Sequence, residues 1–206
     1  MHLNPRQAHR RVALFLGLFL IVHFATHLSA LGGVDSHAAA LSAGRAVYRI
    51  PLIEVLLVAA FAAQVALGVM LVRRMACWSQ QGGWRRAQKW SGIVLAVFIV
   101  LHTGAALLSR WLFALDTNFY WAAGTLTIAP LKYGFAPYYG AAVIALVTHL
   151  LAALHVHRPA RWHGPALLLG PVLALPILLA YGGALFPVAL PPAHQAYFNT
   201  YLGFMR

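Results

Sequence analysis

Five uninterrupted apolar stretches dominate this sequence, near residues 12–31, 51–72, 90–109, 138–157 and 165–187. Each holds roughly the 20 helical residues that cross about 30 Å of hydrocarbon. Lipid offers backbone N–H and C=O groups no partner, so such a segment must satisfy them internally, as a helix. The strands of an outer-membrane barrel would alternate polar and apolar side chains, and these stretches do not. The expected fold is all-α: an integral membrane bundle of five transmembrane helices, forming one domain over residues 1–206. Composition agrees, because 62% of the residues are hydrophobic and only 9% are charged, against about 25% charged in a soluble domain.

The net charge of +12 would suit a nucleic-acid ligand, but its distribution argues for a membrane. Arg6, Arg10, Arg11, Arg73, Arg74, Arg85, Arg86, Lys89, Arg158 and Arg161 fall on one side of the five spans. Arg45, Arg49, Arg110, Lys132 and Arg206 fall on the other. The positive-inside rule then puts the N-terminus in the cytoplasm and the C-terminus outside, in a cell inner membrane. The basic side also suits anionic headgroups. The first apolar stretch is too long for a signal peptide and has no evident small-residue cleavage site, so it reads as a retained helix. Cys77, the single cysteine, cannot form an internal disulfide.

Two longer connections, 32–50 and 110–137, lie on the outer side. The second carries Asp116, Thr117, Asn118, Phe119, Tyr120 and Trp121, and predicts a short helix lying along the outer surface, where aromatics favour the interface. Residues 188–206, rich in Pro and aromatics, belong at that surface as well. Pro171 and Pro176 predict a kink in the fifth helix.

Polar side chains at membrane depth are costly, and each asks for a partner. At about 1.5 Å per residue, His23 lies roughly 18 Å beyond Arg11, and His102 roughly 20 Å beyond Lys89. The two are level, on different helices running the same way, in the outer half of the bilayer. Two imidazoles at one depth suit axial ligation of a haem iron in a bundle core. His149 lies nearer the inner side, with Gln64 at a similar level. It is either a ligand or a histidine satisfied by a hydrogen bond, with Gln64 as one candidate partner. His27, one turn beyond His23, is a propionate partner, an alternative ligand or an interfacial histidine. Glu54 either pairs with Arg49 or accepts a proton from a quinol. His155, His157 and His163 read as a solvated basic rim. His2, His9, His37 and His194 give no ligand signal.

These residues resemble a known family, the membrane-anchor cytochrome b of succinate:quinone and quinol:fumarate oxidoreductases, in its single-chain, five-helix form. The resemblance runs roughly from residue 9 to 187. "GLFLIVHFATHL" is similar to the segment carrying one outer-haem ligand, which falls on His23. "KWSGIVLAVFIVLHTG" resembles the helix with the second, on His102. "GAAVIALVTHLLAALH" is similar to the segment with an inner-haem ligand, on His149. "LDTNFYWAAGTLTIAP" resembles the connection between family helices 3 and 4, and "YRIPLIEVLL" resembles the start of family helix 2, whose acidic residue near the outer quinol site falls on Glu54.

The chain departs from the family on helix 2. Where the family has its other inner-haem histidine, "FAAQVALGVM" has Gln64, a poor iron ligand beside imidazole. The resemblance therefore implies one haem b on His23 and His102, two only if the inner site is completed in another way. Arg49, Arg110 or His27 would contact its propionates. The implied function is a membrane anchor that passes electrons to or from a quinone. Iron–sulfur and flavoprotein subunits on the cytoplasmic face would do the chemistry for which this chain has no cysteine cluster or Gly-rich fingerprint. Two other readings stand beside it: a stand-alone or haem-free membrane protein of the same fold, with a structural or small-molecule-binding role, and a small-solute transporter. The transporter is disfavoured by the absence of an internal repeat. A homodimer is compatible with a bundle of this size.

Overall fold

The structure, a computed structural model, describes residues 4–74 and 82–204; Cys77, His2 and Arg206 lie outside the described residues. The protein is an all-α membrane bundle with five helical spans long and apolar enough to cross a bilayer: Pro5–Gly32, Pro51–Arg73, Gly83–Phe113, Leu131–His157 and His163–Tyr181. Among the described residues there is no strand.

Local chemistry sets the ends of these spans. Helix α1 (Pro5–Ser29) opens with Pro5 in its first turn, where no N–H is needed, and the Asn4 side chain accepts from the Arg6 amide at 3.0 Å. A 3-10 turn and Gly33, with φ of 98°, reverse the chain into α2 (Val34–Tyr48). That positive φ would strain any residue with a Cβ. Pro51 opens α3 (Pro51–Arg73) in the same way as Pro5 opens α1. Helix α4 (Gly83–Phe113) is longer at both ends than its apolar run of 90–109. Its 31 residues span roughly 46 Å, so both ends project past the hydrocarbon.

Three expectations need correction. Helix α6 (Leu131–His157) starts before residue 138 and runs through Pro137. Proline removes one N–H and displaces one carbonyl, a local loss within a long helix whose remaining bonds persist. The fifth span is α7 (His163–Ala166) followed by α8 (Leu169–Tyr181). It breaks at Leu167–Leu168, so Pro171 falls in the first turn of α8, and the span ends before the residues 182–187 expected in it. The predicted surface helix, α5 (Phe119–Thr127), exists but is not a surface element: Phe119 is 1% exposed and Ala123 is fully buried.

Helix α5 is covered by α9 (Pro192–Phe204), and with α2 it closes one end of the bundle. Phe119, Ala123 and Leu126 pack on Tyr181 and Ala180, while Trp121 packs with Leu115, Tyr197 and Phe198. Ser109 Oγ holds this cap together, 2.6 Å from Tyr197 Oη and accepting from Trp121 Nε1 at 3.0 Å. The opposite end carries the N-terminus of α1, the C-termini of α3 and α6 and the N-terminus of α4, and with them the clustered arginines.

Within the bundle, α1 packs on α3 and α4 packs on α6. The two pairs line a cavity of about 2720 Å³, partly open at the side, running from Arg10 and Arg158 at the basic end to Arg49 and Glu54 beneath the cap.

Candidate functional site

His23 of α1 and His102 of α4 face each other across the capped half of this cavity, their ring centroids 6.2 Å apart with an interplanar angle of 71°. Each ring is braced from its own helix one turn earlier. Phe19 stacks on His23 at 5.2 Å and 24°, and Phe98 stacks on His102 at 4.9 Å and 12°. The i, i+4 spacing puts such pairs on one face. Trp121 of the cap and Tyr139 of α6 close the far side of His102.

The spacing can be compared with a coordination geometry. Imidazole nitrogens bind metals at about 2.0–2.1 Å, so two rings on opposite sides of one ion have centroids roughly 6 Å apart. No group of three or more His, Cys, Asp or Glu that could hold a bare metal ion occurs among the described residues. An opposed pair is the donor set that a porphyrin-bound iron leaves to the protein, the macrocycle supplying the other four nitrogens. The cavity also exceeds the roughly 300–1,000 Å³ of an ordinary ligand pocket. The residues present therefore fit a haem.

One contact bears on how it would bind. His27 Nε2 lies 3.1 Å from His23 Nε2, and His27 Nδ1 lies 2.8 Å from Tyr181 Oη. Ligation through His23 Nε2 requires His27 to release that nitrogen. His27 thus bridges His23 of its own helix and Tyr181 of α8.

The capped end of the cavity is rich in arginine. Glu54 is ion-paired with Arg110 of α4, and not with the neighbouring Arg49. Arg49 instead donates to Thr117 Oγ1 at 3.1 Å. Position 54 on α3 faces the end of α4, whereas Arg49 precedes the helix and turns toward the loop above it. Arg45 lies 2.7 Å from Asp116 without hydrogen-bond alignment, and its Nε has no partner. Asp116 stays below the usual carboxylate range: burial pushes it up, but the adjacent Arg45 guanidinium, helped by Asn118 and the Arg49 charge, pulls it down further. His37 of α2 is 3% exposed and its Nδ1 has no partner. Burial first, then the nearby Arg45 charge, lower its pKa to about 4.

At the basic end, Gln64 and His149 do not bond to each other. Gln64 Nε2 is 3.0 Å from His9 Nε2. His149 Nδ1 is 3.0 Å from the Gln88 carbonyl and 3.3 Å from Ser91 Oγ. The two residues stand on helices of different pairs, and each finds its partner within its own pair. The expected solvated rim is also incorrect for two of its histidines. His163 is 1% exposed and lies 3.0 Å from His155, which stacks on Trp84 at 4.2 Å.

Sequence reasoning missed His9, His37, Arg45 and Tyr181. His9 had a signal: fourteen residues before His23 is about four helical turns, so the two share a face of α1. Tyr181 and His37 had none, since their partners come from distant parts of the chain. Comparison with protein-family models, curated proteins and solved structures finds no match for this chain.

Proposed function

We propose that this protein is a membrane cytochrome b-like subunit that binds haem b through His23 and His102. It passes electrons to or from a quinone in a succinate dehydrogenase- or fumarate reductase-like complex. The observation that carries the reading is the opposed imidazole pair, at ligation spacing, across a cavity larger than an ordinary ligand needs.

A bound haem would supply reversible one-electron transfer at its iron. The chain's own groups do the rest. His23 and His102 offer imidazole nitrogens, and Phe19 and Phe98 hold both rings against rotation. Arg45, Arg49 and Arg110 offer charge to anionic groups such as propionates at the capped end. Oxidation of a quinol releases two protons with its two electrons. Glu54 is the acidic group at this end of the cavity, and it accepts one of those protons only by leaving Arg110. In a cytoplasmic membrane with the basic end inside, that end meets the iron–sulfur and flavoprotein partners, and the quinone reacts at the opposite face.

A second reading keeps the fold without haem, as a structural or small-molecule-binding protein. It is favoured by the His23–His27–Tyr181 contacts, which satisfy these groups with no metal. A reduced-minus-oxidised visible spectrum of the detergent-purified protein separates the two. The haem reading expects a b-type spectrum that is lost in both His23→Ala and His102→Ala. Protein purified from haem-replete cells without a Soret band would leave only the second reading.

A further inference from the structure

The fifth span lines the cavity only near the cap. Among the described residues, it gives the wall Ile177, Leu178 and Tyr181, all in the last five residues of α8. Toward the basic end the walls come from α1, α3, α4 and α6. Helix α1 packs on α3, α3 on α4 and α4 on α6, but no comparable contact joins α6 back to α1 among the described residues. The basic half of the cavity is therefore a slot open to the bilayer between α1 and α6. Leu14 and Leu18 of α1 and Leu150 and Leu154 of α6 line it and are themselves exposed.

The walls and the mouth of the slot set what can fill it. Val69 of α3 and Ile93 of α4 continue its apolar surface inward, while His9 and His149 are engaged with Gln64 and the Gln88 carbonyl. Apolar cavities stay dry and take up apolar molecules, which a bilayer supplies as acyl chains. From Arg10 to His23, α1 rises roughly 20 Å, enough for one leaflet's share, about 15 Å, of the hydrocarbon core. The mouth is cationic, with Arg10 and Arg158 on either side of the gap and Arg85 beside them. The chain's three acidic residues, Asp35, Glu54 and Asp116, all stand at the capped end. No acidic side chain of this protein therefore neutralises these arginines. Guanidinium groups pair with phosphate oxygens through two parallel hydrogen bonds, and basic pockets between membrane helices hold anionic lipid headgroups.

We infer that the basic half of the cavity binds one anionic glycerophospholipid from the leaflet at that end, with its phosphate on Arg10 and Arg158 and an acyl chain in the slot between α1 and α6. The inference does not depend on haem, because it concerns the half of the cavity away from His23 and His102. The lipid completes the bundle wall where the fifth span does not reach. Gly17 marks the path of the chain. It lies on the cavity wall, between Arg10 and His23, and a Cβ built on it meets nothing within 4 Å.

The test is native mass spectrometry of the full-length protein, delipidated in mild detergent and titrated with phosphatidylglycerol or with phosphatidylcholine carrying the same chains. One phosphatidylglycerol per chain is expected, held at least about tenfold more tightly than phosphatidylcholine. Replacing both arginines, by Arg10→Gln and Arg158→Gln, should weaken it about fivefold for each charge lost. Gly17→Phe extends a ring into the open slot and should weaken it by at least about tenfold, with the unfolding midpoint retained. Where one variant fails to fold, the other and the comparison of the two lipids carry the test. Equal binding of the two lipids overturns the inference, and so does unchanged phosphatidylglycerol binding in folded Gly17→Phe protein. Displacement of the lipid by millimolar inorganic phosphate would make the mouth a free-anion site and overturn it as well. Two haems per chain in protein from haem-replete cells would put haem in the slot, with the same consequence.

Discussion

Gly124 sits where no other residue fits. A Cβ built on it would lie 1.9 Å from Phe198 Cε2 and 2.5 Å from Cδ2 and Cζ. Carbon atoms rest at about 3.5–4.0 Å, so Gly124→Ala asks the ring to retreat by roughly 1.5–2 Å. Phe198 is 2% exposed and packed against Leu115, Trp121 and Tyr197, and has nowhere to go. Overpacking of this kind costs about 1–3 kcal/mol, a factor of roughly 5–150 in the folded-to-unfolded ratio. The consequence reaches the site, because α5 also carries Trp121, which packs on His102. Gly134→Ala is the control. It lies inside α6 with nothing within 4 Å of its Cβ, and should gain up to about 1 kcal/mol of helix propensity. Thermal unfolding in detergent, followed by circular dichroism, should show Gly124→Ala lowered and Gly134→Ala unchanged or raised. Phe198→Ala alone opens a cavity worth about 3–5 kcal/mol. Combined with Gly124→Ala it should cost less than the sum, by about 1–3 kcal/mol. A Gly124→Ala protein that melts with the wild type, or a strictly additive double variant, would refute the close packing of α5 under α9.

Other parts of the molecule yield sharper functional tests. Gly92→Val should press on His149, since a Cβ there already lies 3.0 Å from its Cε1, and loosen its bond to the Gln88 carbonyl, read as a lowered unfolding midpoint. Glu54→Gln keeps the shape but not the basicity, and should slow quinol oxidation by about 10²–10⁴-fold with haem content unchanged; an unaltered rate would remove Glu54 from the proton path. Ser109→Ala removes the acceptor of Trp121 Nε1 inside the cap, and should cost about 1–3 kcal/mol for that stranded N–H, read as a lowered unfolding midpoint. His37 is neutral when folded, with a pKa near 4 set by burial and Arg45, and takes up a proton near pH 6.5 when unfolded. Its contribution is therefore complete above about pH 6.5 and is lost as pH falls toward 4, at up to about 1.4 kcal/mol per pH unit. His37→Phe should flatten that part of the stability–pH curve.

The five spans were legible in the sequence because an apolar run of sufficient length has one solution in lipid, a helix, and its length follows from a fixed rise per residue. The matched depth of His23 and His102 was legible for the same reason: counting residues along two parallel helices from basic anchors measures height. Depth is a one-dimensional property, and the sequence determines it. What it leaves open is azimuth and neighbourhood. Gln64 and His149 share a level, yet they stand on different helix pairs and bond to His9 and the Gln88 carbonyl instead. Glu54 is five residues from Arg49 but meets Arg110, because only packing decides which helix end faces which. The cap was hidden for a related reason. The aromatics of 119–121 suit a membrane interface and a buried core equally well by composition. It is α9, arriving from the far end of the chain, that covers them and makes the difference.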